Sequence, residues 1–230
     1  CDMALTVENV RLTRGDFAFS ADFSVSKPGL TAIIGPSGGG KSTLLALIAG
    51  FILPDAGRVL WNNADLAPLA PGARPVAMLF QDNNLFPHLD IVTNVALGAA
   101  PIARPDAETR ARASNALARV GLVGFETRKP ADLSGGQQSR AALARVLLTD
   151  RPVVLMDEPF SALGPAQRRE MLDLVRKLLP DATILMVTHD PLDAQQAQQT
   201  ILIANGHAAA PQLTETLFAD PPPELESYLR

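Results

Sequence analysis

Eight residues constrain this chain more than any others. Gly35-Pro36-Ser37-Gly38-Gly39-Gly40-Lys41-Ser42 follows a short apolar run at 30–34 and opens a run at 41–49 with helical character. The pattern is G-x-x-x-x-G-K followed by Ser or Thr, and physics asks for that composition. Glycines let backbone N–H groups turn inward around a phosphate, the following helix offers its positive end, and Lys41 supplies a point charge. The Ser42 hydroxyl is suited to ligate Mg²⁺, and Thr43 continues the loop into the helix. A chance match arises in roughly one chain of this length in a hundred, and the strand–loop–helix context lowers that further. The pattern predicts a nucleotide-binding α/β unit.

The rest of the chain supplies strands and helices to build around it. Phe17, Phe19, Ala21, Phe23 and Val25 alternate with smaller or polar residues, the period of a half-buried antiparallel strand. Lys27-Pro28-Gly29 reads as a turn, 57–61 as a strand closed by Asn62-Asn63, and 76–80 as a buried strand. Asp106 is a good N-cap for a helix reaching 120. Beyond it, helices are expected at 137–148, 165–179 and 191–199, and strands at 153–156, 183–187 and 200–204, with a hairpin turn at Asn205-Gly206. Strands alternating with helices imply a parallel sheet covered by helices. Pro221-Pro222-Pro223 opens a terminal segment with no evident role.

Composition excludes several classes. With 20 Lys+Arg against 24 Asp+Glu the net charge is −4, so no broad basic surface is available for nucleic acid. The longest nearly apolar run, 44–53, is interrupted by Gly50 and falls short of the ~20 residues a membrane-spanning helix needs. The single cysteine, Cys1, allows no internal disulfide, which fits a reducing compartment. Met3 reads as a natural start, so Cys1-Asp2 is expected to be an expression scar rather than a lipid-modified terminus. Glu8, Arg11, Arg14 and Asp16 interrupt any apolar core of a signal peptide.

A second chemical element is Val153-Val154-Leu155-Met156-Asp157-Glu158. Four apolar residues ending in two carboxylates describe a buried strand that delivers acids to a ligand crevice. Asp157 is read as a holder of Mg²⁺ through water, and Glu158 as the general base for an attacking water. These two elements alone leave a small-molecule kinase, a GTPase or a motor open.

Leu133-Ser134-Gly135-Gly136-Gln137 decides among them. Placed before a predicted helix, Ser134 and the glycine amides form a second anion-binding helix terminus, with Gln137 closing the motif. Here the chain resembles the ATP-binding-cassette (ABC) ATPases, whose signature this pentapeptide is. The resemblance covers nearly all of 3–230 as a single ABC ATPase domain. It implies an α/β fold of the P-loop NTPase (RecA-like) type: a core with a parallel sheet and an N-terminal antiparallel β subdomain, about 3–81 and 139–230, and an inserted α-helical subdomain, about 82–138. It makes ATP the nucleotide and Mg²⁺ its ion. Gln81 matches the Q-loop glutamine, implied to sense Mg²⁺ and water; Ser161-Ala162-Leu163 matches the start of the D-loop; His189 matches the switch histidine that contacts the γ-phosphate.

The resemblance also implies a head-to-tail homodimer, with ATP on one subunit's loop (35–43) capped by residues 134–137 of the other. It implies integral-membrane permease subunits as partners, a periplasmic solute-binding protein acting indirectly, and a peripheral position on the cytoplasmic face of the membrane. Two residues depart from the family's pattern. Gly164 stands where Asp usually follows Ser-Ala-Leu, and Arg14, with Phe17 and Phe19 just beyond, stands near the usual adenine-stacking aromatic. Among branches, Met78-Leu79-Phe80-Gln81-Asp82-Asn83-Asn84-Leu85-Phe86, with Pro54 upstream and the short C-terminus, looks most like the ATPases of bacterial thiamine importers, Asn83 to Phe86 being the most distinctive piece. Importers of iron, sulfate or polyamine, and a non-transport ABC ATPase, are the alternatives.

Overall fold

The computed structural model describes residues 4–25, 28–101 and 104–229. Cys1-Asp2-Met3 and Lys27 of the expected turn lie outside the described residues. The strands are β1 (Leu5–Arg14), β2 (Phe17–Val25), β3 (Gly29–Ile34), β4 (Ala56–Trp61), β5 (Ala64–Asp65), β6 (Val76–Leu79), β7 (Val153–Asp157), β8 (Thr183–Val187), β9 (Gln199–Ala204), β10 (His207–Ala208) and β11 (Gln212–Leu213). The helices are α1 (Lys41–Ala49), α2 (Ile91–Ala96), α3 (Ala107–Arg119), α4 (Gly135–Thr149), α5 (Pro165–Leu178), α6 (Pro191–Ala194), α7 (Thr214–Ala219) and α8 (Pro223–Leu229). They divide between two compact units, Cys1–Val76 with Asp181–Arg230, and Ala77–Pro180.

The first unit holds strands in the order β5-β4-β1-β2-β10-β9-β3-β8, with β11 on β9. Its antiparallel part follows from alternation. β2 buries Phe19, Ala21, Phe23 and Val25, and β1 answers from across with Leu5, Val7, Val10 and Leu12, all under 7% exposed. A register shift between Val7 and Val10 puts Asn9 at φ +47, a bulge that Asn tolerates better than most residues. Asn62-Asn63 (φ +51, +66) and Asn205-Gly206 (φ +51, +72) close hairpins, their positive φ angles matching the twist of the strands they join. β10 is parallel to β2 and antiparallel to β9, and so joins this part to the parallel strands β9-β3-β8. From Leu30 to Ile34 every residue of β3 is buried, as a central parallel strand requires.

Two expectations in this unit need correction. The polar helix expected over 191–199 is the four-residue α6 alone. Gln198 donates its backbone N–H to the Leu30 carbonyl while its Oε1 accepts from the Leu30 N–H at 2.8 Å, so the chain has already joined the edge of β3. The prolines at 221–223 end in a helix, not a tail: Pro223 opens α8, and Leu225 is fully buried.

In the second unit β6 neighbours β7, and α2, α3 and α4 pack against one another. Side-chain caps set the helix starts. Asp90 and Asp106 accept from the N–H groups of Thr93 and Thr109 at 2.9 and 2.8 Å. Asn94, fully buried in α2, accepts from the Phe86 N–H and donates to the Phe86, Leu89 and Asp90 carbonyls. Because its removal orphans buried backbone groups, Asn94→Ala is expected to cost about 2–4 kcal/mol by urea unfolding.

Candidate functional site

The glycine loop sits between β3 and α1, and its geometry is what an anion needs. Gly40 is the N-cap of α1 at φ +107 and offers no side-chain cap, in contrast to Asp90, Asp106 and Ser134. No side chain at the N-cap thus stands over the first turn of α1, the end of a helix that attracts anions. Lys41 folds back over the loop, its Nζ donating to the Gly35 and Pro36 carbonyls at 2.7 and 2.9 Å. That places the ammonium at the mouth of the loop. Gly35 (φ +148) passes so close to β9 that a Cβ there would lie 2.0 Å from the Ile203 carbonyl oxygen.

His189 belongs to the same unit. β3 and β8 run parallel with Ile33 opposite Val187, so Gly35 and His189 leave the same, C-terminal edge of the sheet. Thr188 donates its N–H to the Ile33 carbonyl, and the exposed His189 comes directly after it.

Arg14 is tied to Asp55 by a 2.9 Å ion pair, and its hydrogen bond holds the Asp55 carboxyl below the usual carboxylate range. Phe17 and Phe19 stack at 6.4 Å between centroids, 14° from parallel. A Cβ on Gly40 would meet Phe19 at 2.6 Å and Phe17 at 3.3 Å. The aromatic surface beside the loop is thus the half-buried Phe17, with Arg14 engaged elsewhere.

In the second unit, β7 ends on Asp157, and Glu158 comes next with φ +46. A glutamate in the left-handed region costs about 1–2 kcal/mol, and such strain concentrates where a side chain must be aimed. Ser161, Leu163 and Gly164 lead to α5, whose N-cap is Gly164 with no side chain to offer and open space around its Cβ position. Gly164→Asp is therefore expected to raise stability by a few tenths of a kcal/mol in thermal or urea unfolding, through capping alone.

The signature residues form a capping box: Ser134 Oγ accepts from the Gln137 N–H at 3.3 Å while Gln137 Oε1 accepts from the Ser134 N–H at 2.9 Å. This starts α4 at Gly135, two residues before the expected 137. Gly135 and Gly136 then occupy the first two helical positions, where N–H groups have no intrahelical acceptor.

Gln81 stands exposed in the turn after β6. Two residues that sequence reasoning passed over brace the segment 83–90 beyond it. Asn94 holds Phe86, Leu89 and Asp90, and Arg145 donates to the Asn83 and Asn84 carbonyls. A buried asparagine among apolar residues and an arginine in an Ala/Leu-rich helix were their only signals.

The family profile described as ABC transporter matches residues 19–161. The chain belongs to the ABC transporter family, as an ATP-binding member. Among its curated relatives, the thiamine import ATP-binding protein ThiQ of Cereibacter sphaeroides is 56% identical over 98% of this chain and 99% of that protein. The protein of the same name from Ruegeria sp. (strain TM1040) is 53% identical with the same coverage. Among solved structures, cbiO1 from Clostridium perfringens, part of the ABC transporter complex cbiONQ, aligns with a TM-score of 0.82 at 28% identity over 96% of this chain and 92% of that one. The ADP conformation of MJ1267, an ATP-binding cassette of an ABC transporter, shares the fold with a TM-score of 0.89 at 24% identity, covering 100% and 99%.

Proposed function

We propose that this chain is the ATP-hydrolysing, energy-coupling subunit of a bacterial ABC importer for thiamine. The observation that carries the reading is the near full-length identity to thiamine import ATP-binding proteins. The uncapped, lysine-closed loop at 35–43 supports ATP as the fuel. In this reading residues 35–43 hold the phosphates, Glu158 takes the proton of the attacking water, and His189 and Gln81 bear on the γ-phosphate and the water. Ser42, Asp157 and Gln81 offer oxygen donors, the chemistry Mg²⁺ prefers, and the ion would neutralise charge developing on the phosphates.

Two copies pair head to tail, Ser134, Gly135, Gly136 and Gln137 of each closing over the partner's nucleotide. ATP-binding free energy thereby becomes dimerisation free energy, released on hydrolysis. The helical subdomain, about 82–138, docks the membrane partner. This subunit works peripherally, on the cytoplasmic face, with integral-membrane permease subunits; among its own described residues no helix is long and apolar enough to cross a membrane.

Solute-stimulated hydrolysis tests the cargo. With the membrane complex isolated through this chain, thiamine-loaded binding protein is expected to raise ATP turnover several-fold over the unloaded protein. Stimulation by an iron, sulfate or polyamine receptor, with none by thiamine, would overturn the assignment.

A further inference from the structure

The turn that carries Gln81 is held from outside itself. The Asn83 N–H donates to the Phe80 carbonyl at 3.0 Å, so Gln81 and Asp82 are the central residues of a β-turn that Asn83 closes. Asn83 and Asn84 then both adopt left-handed backbone, φ +56 and +51, which Asn tolerates but does not favour. The buried Asn83 Oδ1 is left without a hydrogen-bond partner. Both costs accompany one result: the carbonyls of Asn83 and Asn84 meet the same guanidinium. Arg145 Nη2 donates to Asn83 and Nη1 to Asn84, each at 2.8 Å.

Nothing on Gln81 itself fixes this turn. Its side chain is exposed and forms no hydrogen bond among the described residues. Arg145, by contrast, is largely enclosed, and burial lowers its pKa from the ordinary arginine value. Among the described residues it forms no ion pair, so the two backbone carbonyls are what its charge is given to. Its own backbone is pinned as well: Gly98 approaches so closely that a Cβ there would lie 2.3 Å from the Arg145 carbonyl oxygen. Arg145 also lies on α4, the helix that starts at the signature residues, about 15 Å along its axis from Gly135.

We propose that Arg145 is the positioning residue of Gln81, fixing from the signature helix the turn that presents the glutamine. The proposal rests on the role of Gln81 at the γ-phosphate and the attacking water. A planar fork matches two adjacent carbonyls, and a lysine cannot reproduce it.

ATP hydrolysis and nucleotide affinity, measured on the full chain, separate positioning from a merely structural role. Arg145→Lys and Arg145→Met are expected to lower kcat about ten- to a hundredfold while nucleotide affinity stays within about twofold. Gln81→Ala is expected to fall similarly, and Gln81→Ala with Arg145→Met to fall no further than Gln81→Ala alone, within about twofold. Arg140→Lys, a change on the same helix at a residue bonded to Val120 and Glu170, is expected to leave kcat within about twofold. Should Arg145→Met fail to fold, Arg145→Lys carries the test. Additive losses in the double variant, or equal losses of affinity and rate in Arg145→Lys, overturn the proposal. Gln81→Ala impaired with Arg145→Lys unaffected overturns it alone; Gln81→Ala at the wild-type rate overturns the role of Gln81 and this inference with it.

Discussion

Glu158→Gln is expected to lower ATP hydrolysis by about 10²–10⁴-fold, the usual contribution of a positioned general base, with ATP affinity unchanged within about twofold. The substitution keeps size, hydrogen-bonding reach and the left-handed backbone at φ +46, and it removes the proton acceptor of the proposed reading. In the proposed reading the phosphates are held in the other compact unit, where Lys41 folds over the loop at the start of α1. With hydrolysis blocked, the proposed ATP-bound dimers are expected to accumulate, and size exclusion in ATP and Mg²⁺ reads their fraction. A rate within about tenfold of the parent would remove Glu158 from the role of base.

Gly35→Ala is expected to be the most damaging single methyl group in the phosphate loop. The added carbon would sit 2.0 Å from the Ile203 carbonyl oxygen, at a φ of +148 that L side chains rarely adopt. Relief would require moving β9, which is paired to both β3 and β10. The resulting loss exceeds about 3 kcal/mol, a large share of the ~5–15 kcal/mol by which an ordinary chain is stable. Gly38→Ala is the matched control. Gly38 also has positive φ, +75, yet no atom lies within 4 Å of its Cβ position, so only the backbone cost of about 1–2 kcal/mol applies. Urea unfolding of the two variants compares them directly. Equal losses would contradict the close approach of the loop to β9.

Much of this architecture was legible because local signals agreed with one another. The alternation in 17–25, the apolar run at 183–187 and the Asp106 cap each have a local cause, and the structure places β2, β8 and α3 there. Where tertiary contacts decide, the signals failed. Gln198 reads as helix from its polar neighbours but pairs with Leu30, which lies 168 residues away in sequence. Three consecutive prolines read as a terminus, although Pro223 is well suited to open a helix that buries Leu225. In the candidate site, the residues proposed to touch nucleotide stand in motifs and were readable as such. Those that hold the motifs in place were not. Arg74 donates from full burial to the Leu47 and Ile48 carbonyls at the end of α1, and Arg145 and Asn94 brace the turn after Gln81. Such side chains serve backbone carbonyls far off in sequence and leave no spacing to recognise.

The most direct test of the central claim is uptake of labelled thiamine by cells whose only thiamine importer contains either the parent chain or its Glu158→Gln form. Selective loss of thiamine uptake in the variant, with other solutes entering normally, is the predicted result. Thiamine uptake that continues undiminished would contradict the claim that hydrolysis on this chain drives thiamine across the membrane.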